Sequence, residues 1–303
     1  MVGARKVFGS TFLQKGAKKG DFLHKVAKKE VIFNFQFWLM SIIEAFILGL
    51  VQGLTEYLPV SSSGHLQIAK ELLGVQLTDN IAFDVILHLA TVLSTVVVLW
   101  GSVKRLFTGF FSFRKGPDMT YALKIIASMV PVGIVGFLLK DTFNQMLASD
   151  YVMVVVGGML LLTALLLTFA QYAKPRQKEN ISWGDAMIIG TAQAVATMPG
   201  LSRSGTTIAT GLILGNKRSV VAEFSFLMVI LPIVGESLLD VLGGDLANIG
   251  VGLLPLAVGF VTSFVSGCLA CKFMLNIVNK GKLIWFALYC LVVGLISIGS
   301  YIF

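Results

Sequence analysis

Two polar stretches interrupt an otherwise apolar chain. Residues 52–65 have the sequence QGLTEYLPVSSSGH, and residues 193–206 have the sequence QAVATMPGLSRSGT. The first stretch carries a carboxylate, Glu56, and an imidazole, His65, whereas the second carries a lone arginine, Arg203. Ionisable side chains inside a bilayer are costly and are mostly retained for function. We therefore predict that these two stretches hold the functional site.

The composition is that of a polytopic membrane protein. Of the 303 residues, 56% are hydrophobic and only 13% are charged, whereas about a quarter of the residues in a soluble domain are charged. The mean hydropathy is +0.85. Because lipid offers no partners for backbone N–H and C=O groups, we predict an all-α fold. Six apolar segments are long enough to span the membrane: 81–100, 121–139, 151–172, 220–241, 249–271 and 283–303.

The net charge of +8 comes mostly from the N-terminus. Residues 1–35 contain eight of the 24 Lys and Arg residues but only two of the 16 Asp and Glu residues. The rest of the chain is nearly neutral, so the pI of 9.4 does not indicate nucleic-acid binding. We predict that residues 1–36 are a basic extension outside the core fold. A helix on anionic membrane lipids and a disordered leader are both compatible with it.

The two polar stretches belong to an internal repeat with an offset of 141 residues. Gln52 matches Gln193 and Ser61 matches Ser202, in one register without gaps. Apolar positions on both sides of the polar stretches match in the same register. We infer an internal duplication.

Each polar stretch lies between two helical segments that are too short to span a bilayer. Residues 37–51 and 183–198 precede the stretches, and residues 64–74 and 205–215 follow them. Two short helices joined by a polar break form the pattern of a re-entrant hairpin whose tip lies at membrane depth.

The repeat predicts two halves of inverted topology. Each half would consist of one hairpin and three spans, so the second half would enter the membrane from the opposite side. The two tips would then meet near the midplane of the bilayer. The predicted units are residues 37–172, with a hairpin at 37–74, and residues 183–303, with a hairpin at 183–215.

Basic residues predict the orientation in the membrane. They concentrate in residues 101–120, predicted to be a loop, and in residues 174–178 and 217–218. The positive-inside rule places these segments in the cytoplasm. We therefore predict a multi-pass protein of the bacterial plasma (inner) membrane, with a site that opens to the outer face. The basic N-terminus would lie outside, against the same rule; the alternative is that residues 37–51 cross the membrane.

Both stretches have the pattern of a phosphate-binding helix N-terminus. Pro59 and Pro199-Gly200 interrupt the helical structure, and a serine-rich run then begins the next helix. Free backbone N–H groups at such a terminus attract anions, above all phosphate. Arg203 adds a forked cation that suits phosphate oxygens. The residues therefore predict a phosphate or diphosphate site at membrane depth.

The two stretches resemble the signatures of the undecaprenyl-diphosphate phosphatases of the bacitracin-resistance type. QGLTEYLPVSSSGH at 52–65 and PGLSRSGTT at 199–207 carry the resemblance, and FDVILH at 83–88 and EFSFL at 223–227 also fit. The resemblance covers residues from about 40 to 303. It implies that a divalent cation, Mg²⁺ or Ca²⁺, assists hydrolysis of a C55 polyprenyl diphosphate to the monophosphate and inorganic phosphate. Such an enzyme recycles the lipid carrier for peptidoglycan synthesis and confers bacitracin resistance.

The resemblance also implies roles for individual residues. Arg203 would clamp the diphosphate and offset charge as the bond to the leaving group breaks. Glu56 would hold the cation or orient His65. Ser62 would be the nucleophile or a phosphate ligand, with His65 as general base; alternatively, His65 is itself the nucleophile. Further phosphate ligands are expected among Ser61, Ser63, Ser202, Ser204, Thr206 and Thr207.

Structural roles compete with functional ones at several positions. Gln52 is a second candidate for the cation, because the family has Glu or Gln there, but its match to Gln193 favours a shared structural role. A hydrogen bond to a backbone carbonyl within its helix is an alternative for Ser61. For Asp84 and His88, packing is the favoured interpretation.

A transporter is the competing interpretation of the whole chain. Inverted repeats with broken helices also occur in transporters, so the same site could move an anion or flip a polyprenyl phosphate. Transport would need Arg203 but has little use for a reactive group of Glu56, Ser62 and His65. Close helix contacts, and with them a homodimer, would be permitted by the glycines at 133, 136, 157 and 158.

Overall fold

The computed structural model describes residues 40–75, 81–112, 116–147, 149, 151–173, 177–242 and 251–302. Helices account for most of them, and these ranges contain no β-strand, only one isolated bridge between Lys178 and Asn216. The all-α prediction is confirmed. The predicted basic extension, residues 1–36, lies outside the described residues.

Twelve helices form the described part of the chain. In chain order they are α1 (Ile42–Thr55), α2 (Ser62–Leu73), α3 (Ile81–Val98), α4 (Trp100–Phe111), α5 (Pro117–Leu147), α6 (Val152–Tyr172), α7 (Trp183–Val195), α8 (Arg203–Ile213), α9 (Arg218–Met228), α10 (Ile230–Leu242), α11 (Leu253–Lys280) and α12 (Ile284–Ile302). α1 and α2 flank the first polar stretch, and α7 and α8 flank the second.

Five helical segments in these ranges are long and apolar enough to cross a membrane. They are Pro117–Leu139, Val152–Tyr172, Arg218–Leu239, Leu253–Lys280 and Ile284–Tyr301. A sixth is obtained if α3 and α4 form one bent span, which agrees with the six spans predicted. α1 has 14 residues and α7 has 13, so both are short, as the sequence indicates.

The predicted loop at residues 101–120 is wrong over its first half, because this segment forms α4. α4 leaves α3 at an angle of 87°. Leu99 at the junction has φ −101° and ψ 26°, away from helical values. Lys104 and Arg105 suggested a loop, but apolar residues at helical spacing around them give α4 an apolar face. These residues are Trp100, Val103, Phe107 and Phe110.

The two halves of the chain pack across each other. α1 lies against α11, and α7 lies against α5. Glycines permit both close approaches: a Cβ on Gly49 would lie 2.6 Å from the carbonyl oxygen of Gly259, and one on Gly190 would collide with the carbonyl of Ser128. Gly49 and Gly190 are matched positions of the repeat, so each half uses the same residue for its contact with the other.

The glycines proposed for a homodimer divide into two kinds. Gly157 packs within the chain, because a Cβ there would lie 2.7 Å from the carbonyl oxygen of Gly294 in α12. A Cβ on Gly133, Gly136 or Gly158 would meet no described atom within 4 Å. The homodimer therefore stays a prediction.

Candidate active site

The two polar tips end in the same helix cap. Ser61 precedes α2, and its Oγ accepts a hydrogen bond from the N–H of Gly64 over 3.2 Å. Ser202 precedes α8, and its Oγ accepts one from the N–H of Gly205 over 3.0 Å. Both serines are buried, and Oγ of Ser63 lies 3.4 Å from Oγ of Ser61. Two of the predicted phosphate ligands therefore satisfy helix N–H groups.

The backbone distinguishes the first tip from the second. Ser61 has φ +70°, a value that L-residues other than glycine rarely adopt, whereas Ser202 has φ −67°. The carbonyl oxygen of Ser61 accepts from the backbone N–H of His65 at 3.1 Å and faces Nδ1 of its ring at 2.8 Å. Strained backbone of this kind persists where the surroundings hold it, and it is common at active sites.

The two tips are in contact with each other. A Cβ on Gly64 would lie 3.2 Å from Cα of Gly200, and a Cβ on Gly205 would lie 3.1 Å from Cβ of Pro59. In the repeat, Gly64 corresponds to Gly205 and Pro59 corresponds to Gly200, so each contact is the counterpart of the other. The N-termini of α2 and α8 consequently lie side by side.

Glu56 is the centre of hydrogen bonding in the first tip. Its Oε2 accepts from Oγ of Ser62 at 2.7 Å and from Nε2 of Gln52 at 2.9 Å. Nε2 of His88 lies 4.0 Å from the same oxygen, and only 8% of the Glu56 side chain is exposed. A buried carboxylate bound to a serine hydroxyl is in position to accept its proton.

The structure pairs His65 with Tyr289 of α12 rather than with Ser62. Nε2 of His65 lies 2.8 Å from the Tyr289 hydroxyl, and the rings stack with centroids 5.5 Å apart. Because the carbonyl oxygen that faces Nδ1 can only accept, Nδ1 carries the hydrogen and Nε2 accepts from tyrosine. Ser62 donates to Glu56 instead.

Arg203 and Glu56 line one cleft. Within the described residues, the Arg203 guanidinium has no hydrogen-bond partner, so its N–H groups remain for a ligand. The cleft also has apolar walls from α3 and α10. Its other polar residues are Tyr57, Thr91, Thr95, Ser204, Thr207 and Ser225.

The remaining predicted phosphate ligands lie on α8. Oγ of Ser204 donates to the carbonyl of Leu58 over 3.2 Å, and Oγ1 of Thr207 donates to the carbonyl of Arg203 over 3.0 Å. Thr206 is buried, and its Oγ1 has no partner among the described residues. Ser204 and Thr207 reach the cleft with Arg203.

A polar stripe on α3 contains site residues that were assigned to packing or not named in the sequence analysis. His88 approaches Glu56 instead of serving only packing, and two threonines of the stripe line the cleft. Polar residues at spacings of three and four residues share one helix face. This spacing within an apolar span could have predicted the stripe. The stripe consists of Asp84, His88, Thr91 and Thr95.

Gln52 and Glu56 are the candidate oxygen ligands for a cation. Gln52 is fully buried, its Nε2 donates to Glu56, and its Oε1 has no partner among the described residues. The same part of the chain contains no group of three or more His, Cys, Asp or Glu residues that could hold a metal. The pair fits a cation such as Mg²⁺, which takes few protein oxygens and completes its shell with phosphate oxygens and water.

A family model described as bacitracin resistance protein BacA matches residues 45–296. The chain belongs to the BacA family. The undecaprenyl-diphosphatase of Parabacteroides distasonis is 59% identical to this BacA-family chain over 263 residues, which cover 86% of the chain and 98% of the relative. That of Bacteroides fragilis is 55% identical over 262 residues, and that of Methanosphaera stadtmanae is 34% identical over 277, with the same coverage. The resemblance inferred from the two tips is confirmed.

Proposed function

We infer that this protein is an integral membrane undecaprenyl-diphosphatase, which hydrolyses undecaprenyl diphosphate to undecaprenyl phosphate and inorganic phosphate. Membership of the BacA family and relatives of that name at up to 59% identity support the reaction. The observation that carries the proposal is the hydrogen bond from Ser62 to Glu56, a carboxylate that lines one cleft together with Arg203. The activity recycles the lipid carrier for peptidoglycan synthesis and confers bacitracin resistance.

The pair of Ser62 and Glu56 accounts for the chemistry. Glu56 takes the Ser62 proton as Oγ attacks the terminal phosphorus. The anhydride P–O bond breaks, and undecaprenyl phosphate leaves with the bonding electrons. Glu56 gives its proton to the departing phosphate, and then accepts another from the water that attacks the phosphoserine. Glu56 returns this second proton to Oγ of Ser62 as the P–Oγ bond breaks. Inorganic phosphate is released and Ser62 is restored.

Positive charge and N–H groups support this reaction. Arg203 would bind the diphosphate and offset the charge that develops on its oxygens. The N-termini of α2 and α8 lie beside each other and favour an anion at the same place. His65 is the alternative base or nucleophile, but its Nε2 would first have to release Tyr289.

A divalent cation, Mg²⁺ or Ca²⁺, is part of the proposal. Glu56 and Oε1 of Gln52 would hold it, with phosphate oxygens as further ligands. When bound, such a cation neutralises charge on the diphosphate and aligns it for attack.

For the architecture we propose an inverted repeat with two re-entrant hairpins, α1–α2 and α7–α8, within repeats at 37–172 and 183–303. Exchanged contacts support it: α1 against α11 corresponds to α7 against α5, and the tips touch through matched positions. Contacts of this kind are expected for a two-fold relation between the halves. In the plasma (inner) membrane, the basic residues of α4 would face the cytoplasm and the cleft would open to the outer face.

Phosphate release from undecaprenyl diphosphate by the purified protein in detergent tests the proposal. With Mg²⁺ present, we expect Arg203→Ala to lower kcat/KM by about 10³-fold. Arg203→Lys should lose roughly ten- to a hundredfold, because lysine cannot bind two oxygens as a fork. Arg105→Ala is the matched control, since Arg105 is 65% exposed and pairs with Glu223. Near-normal turnover of Arg203→Ala would remove the role assigned to this residue.

The same assay separates hydrolysis from transport. Detergent micelles do not separate two compartments, so a transporter cannot move its substrate across them, whereas a phosphatase still releases phosphate. Absence of release with cation and lipid substrate present, together with movement of label across vesicles, would support a polyprenyl-phosphate flippase or an anion transporter.

A further inference from the structure

Ser225 on α9 is a buried residue that lines the cleft. The residue is 3% exposed, and its Oγ has no hydrogen-bond partner among the described residues. It lines the same cleft as Glu56 and Arg203. A serine inside an apolar helix commonly donates to the carbonyl of the preceding turn, as Ser266 does to Thr262 over 2.6 Å. Ser225 forms no such bond.

The other hydroxyls of the cleft are engaged within the protein. The Tyr57 hydroxyl is shared with α3, where it lies 2.5 Å from the Thr91 carbonyl and 2.9 Å from Oγ1 of Thr95. Ser204 and Thr207 donate to backbone carbonyls. Among the described residues that line this cleft, Ser225 therefore differs in carrying a hydroxyl without a protein acceptor. A buried polar group of this kind costs stability unless something satisfies it.

We propose that Ser225 is a substrate ligand, whose Oγ–H donates to a phosphate oxygen of the diphosphate held by Arg203. This rests on the proposed function and adds a ligand to the same site. α8 presents Arg203 at its N-terminus, and α9 supplies the hydroxyl from another wall of the cleft. A phosphate oxygen is a charged acceptor and would satisfy the Ser225 hydroxyl on binding.

A comparison of Ser225→Ala with Ser263→Ala tests the proposal. Ser225→Ala removes a hydroxyl that makes no bond in the free protein, so we expect an unchanged or higher Tm and a loss in kcat/KM of about tenfold. Ser263 is fully buried, and its Oγ donates to the Leu87 carbonyl over 3.1 Å. Ser263→Ala should lower Tm and leave kcat/KM near the wild-type value.

Inorganic pyrophosphate provides a second readout that does not need hydrolysis. We expect pyrophosphate to raise the Tm of the wild-type protein, and Ser225→Ala to weaken its apparent affinity about tenfold. Ser225→Thr, which keeps a hydroxyl, should retain more affinity than Ser225→Ala.

The outcomes separate the two proposals. Normal phosphate release and pyrophosphate affinity in Ser225→Ala would overturn the ligand role and leave the phosphatase intact. A loss of Tm as large as that of Ser263→Ala would also overturn it, because the hydroxyl would then be structural. If the wild-type protein releases no phosphate from the lipid but binds pyrophosphate through Ser225, the proposed function fails and the ligand role stands.

Discussion

Ser62 donates its hydroxyl hydrogen to Oε2 of Glu56 over 2.7 Å, although the two residues lie on opposite sides of the break between α1 and α2. The same break places Ser61 at φ +70° and directs its carbonyl towards His65. In this strained turn, the two neighbouring serines have different partners. Ser62 is bound to the carboxylate of Glu56, whereas Ser61 contacts helix N–H groups and the imidazole of His65. This division favours Ser62 over His65 as the nucleophile.

A phosphoserine at Ser62 is the expected intermediate. Acid quenching of the protein during turnover of undecaprenyl diphosphate labelled in its terminal phosphate should trap label that is stable in acid, because serine phosphate esters survive acid. Glu56→Gln should lower the rate of labelling by about 10²- to 10⁴-fold, and Ser62→Ala should abolish it. Ser300→Ala, in the last turn of α12, is the control and should label normally.

The chemical stability of the label distinguishes the two candidates. Phosphohistidine is lost in acid and persists in alkali, so label with that behaviour would indicate His65 and contradict the role of Ser62. Mapping of the label by mass spectrometry would identify the residue directly.

Gln52→Glu tests the proposed cation. Nε2 of Gln52 donates to Glu56 over 2.9 Å, and both side chains are almost fully buried. A glutamate would lose this donor and place two carboxylates together, and a bound cation would relieve their repulsion. We expect the Mg²⁺ concentration for half-maximal phosphate release to fall by roughly tenfold, and chelation to inhibit the variant completely. Cation dependence identical to wild type would exclude Gln52 from the cation site.

The two tips could be predicted from the sequence because their signals are local. Polar residues stand out in an apolar chain, and the repeat aligns Ser61 with Ser202 without gaps. In the structure both serines are helix N-caps, a role that was not predicted for them. The segments that flank the tips are helices close to the predicted bounds, since proline and glycine mark where they end.

The partners of the site residues could not be predicted from local signals. Tyr289 lies 224 residues after His65 in the chain, and only the packing of α12 brings it to the imidazole. His88 was assigned to packing because a single histidine in an apolar span gives no direction in space. At Leu99, α3 turns by 87° into α4, and the nearby Gly101 alone did not indicate a bend of this size.

The ion pair between Lys178 and Asp185 predicts a pH-dependent contribution to stability. Nζ of Lys178 lies 3.1 Å from Oδ2 of Asp185, in the first turn of α7. Burial opposes ionisation of this carboxylate, but hydrogen bonds, first of all from Lys178, outweigh it and hold its pKa below the usual value. A lowered pKa stabilises the fold above the unfolded pKa of about 4, and this contribution is lost as pH falls through the folded pKa.

Asp185→Asn should therefore lower Tm by about 2–4 °C at pH 7, which corresponds to about 1 kcal/mol. The difference from wild type should shrink as the pH falls below about 4. Thermal unfolding in detergent across this pH range measures it. Glu179→Gln is the control, because Glu179 is 77% exposed and its pair with Lys217 contributes little. A pH-independent difference for Asp185→Asn would contradict the ionic origin.

Gly49→Ala should separate α1 from α11. The added Cβ would lie 2.6 Å from the carbonyl oxygen of Gly259. Because a Cβ is fixed to the backbone of its own helix and the oxygen belongs to the backbone of the other, the helices themselves must move apart. We expect a loss of about 1–3 kcal/mol, measured as a lower Tm in detergent. Phosphate release should fall as well, because α1 ends at the tip that carries Glu56.

Gly235→Ala provides the matched control for this substitution. Gly235 lies inside α10, and a Cβ there meets no described atom within 4 Å. Without a collision, the higher helix propensity of alanine should leave Tm unchanged or raise it, by up to about 1 kcal/mol. If Gly49→Ala were as stable as Gly235→Ala, the close crossing of α1 and α11 would not be needed to hold the first tip in place.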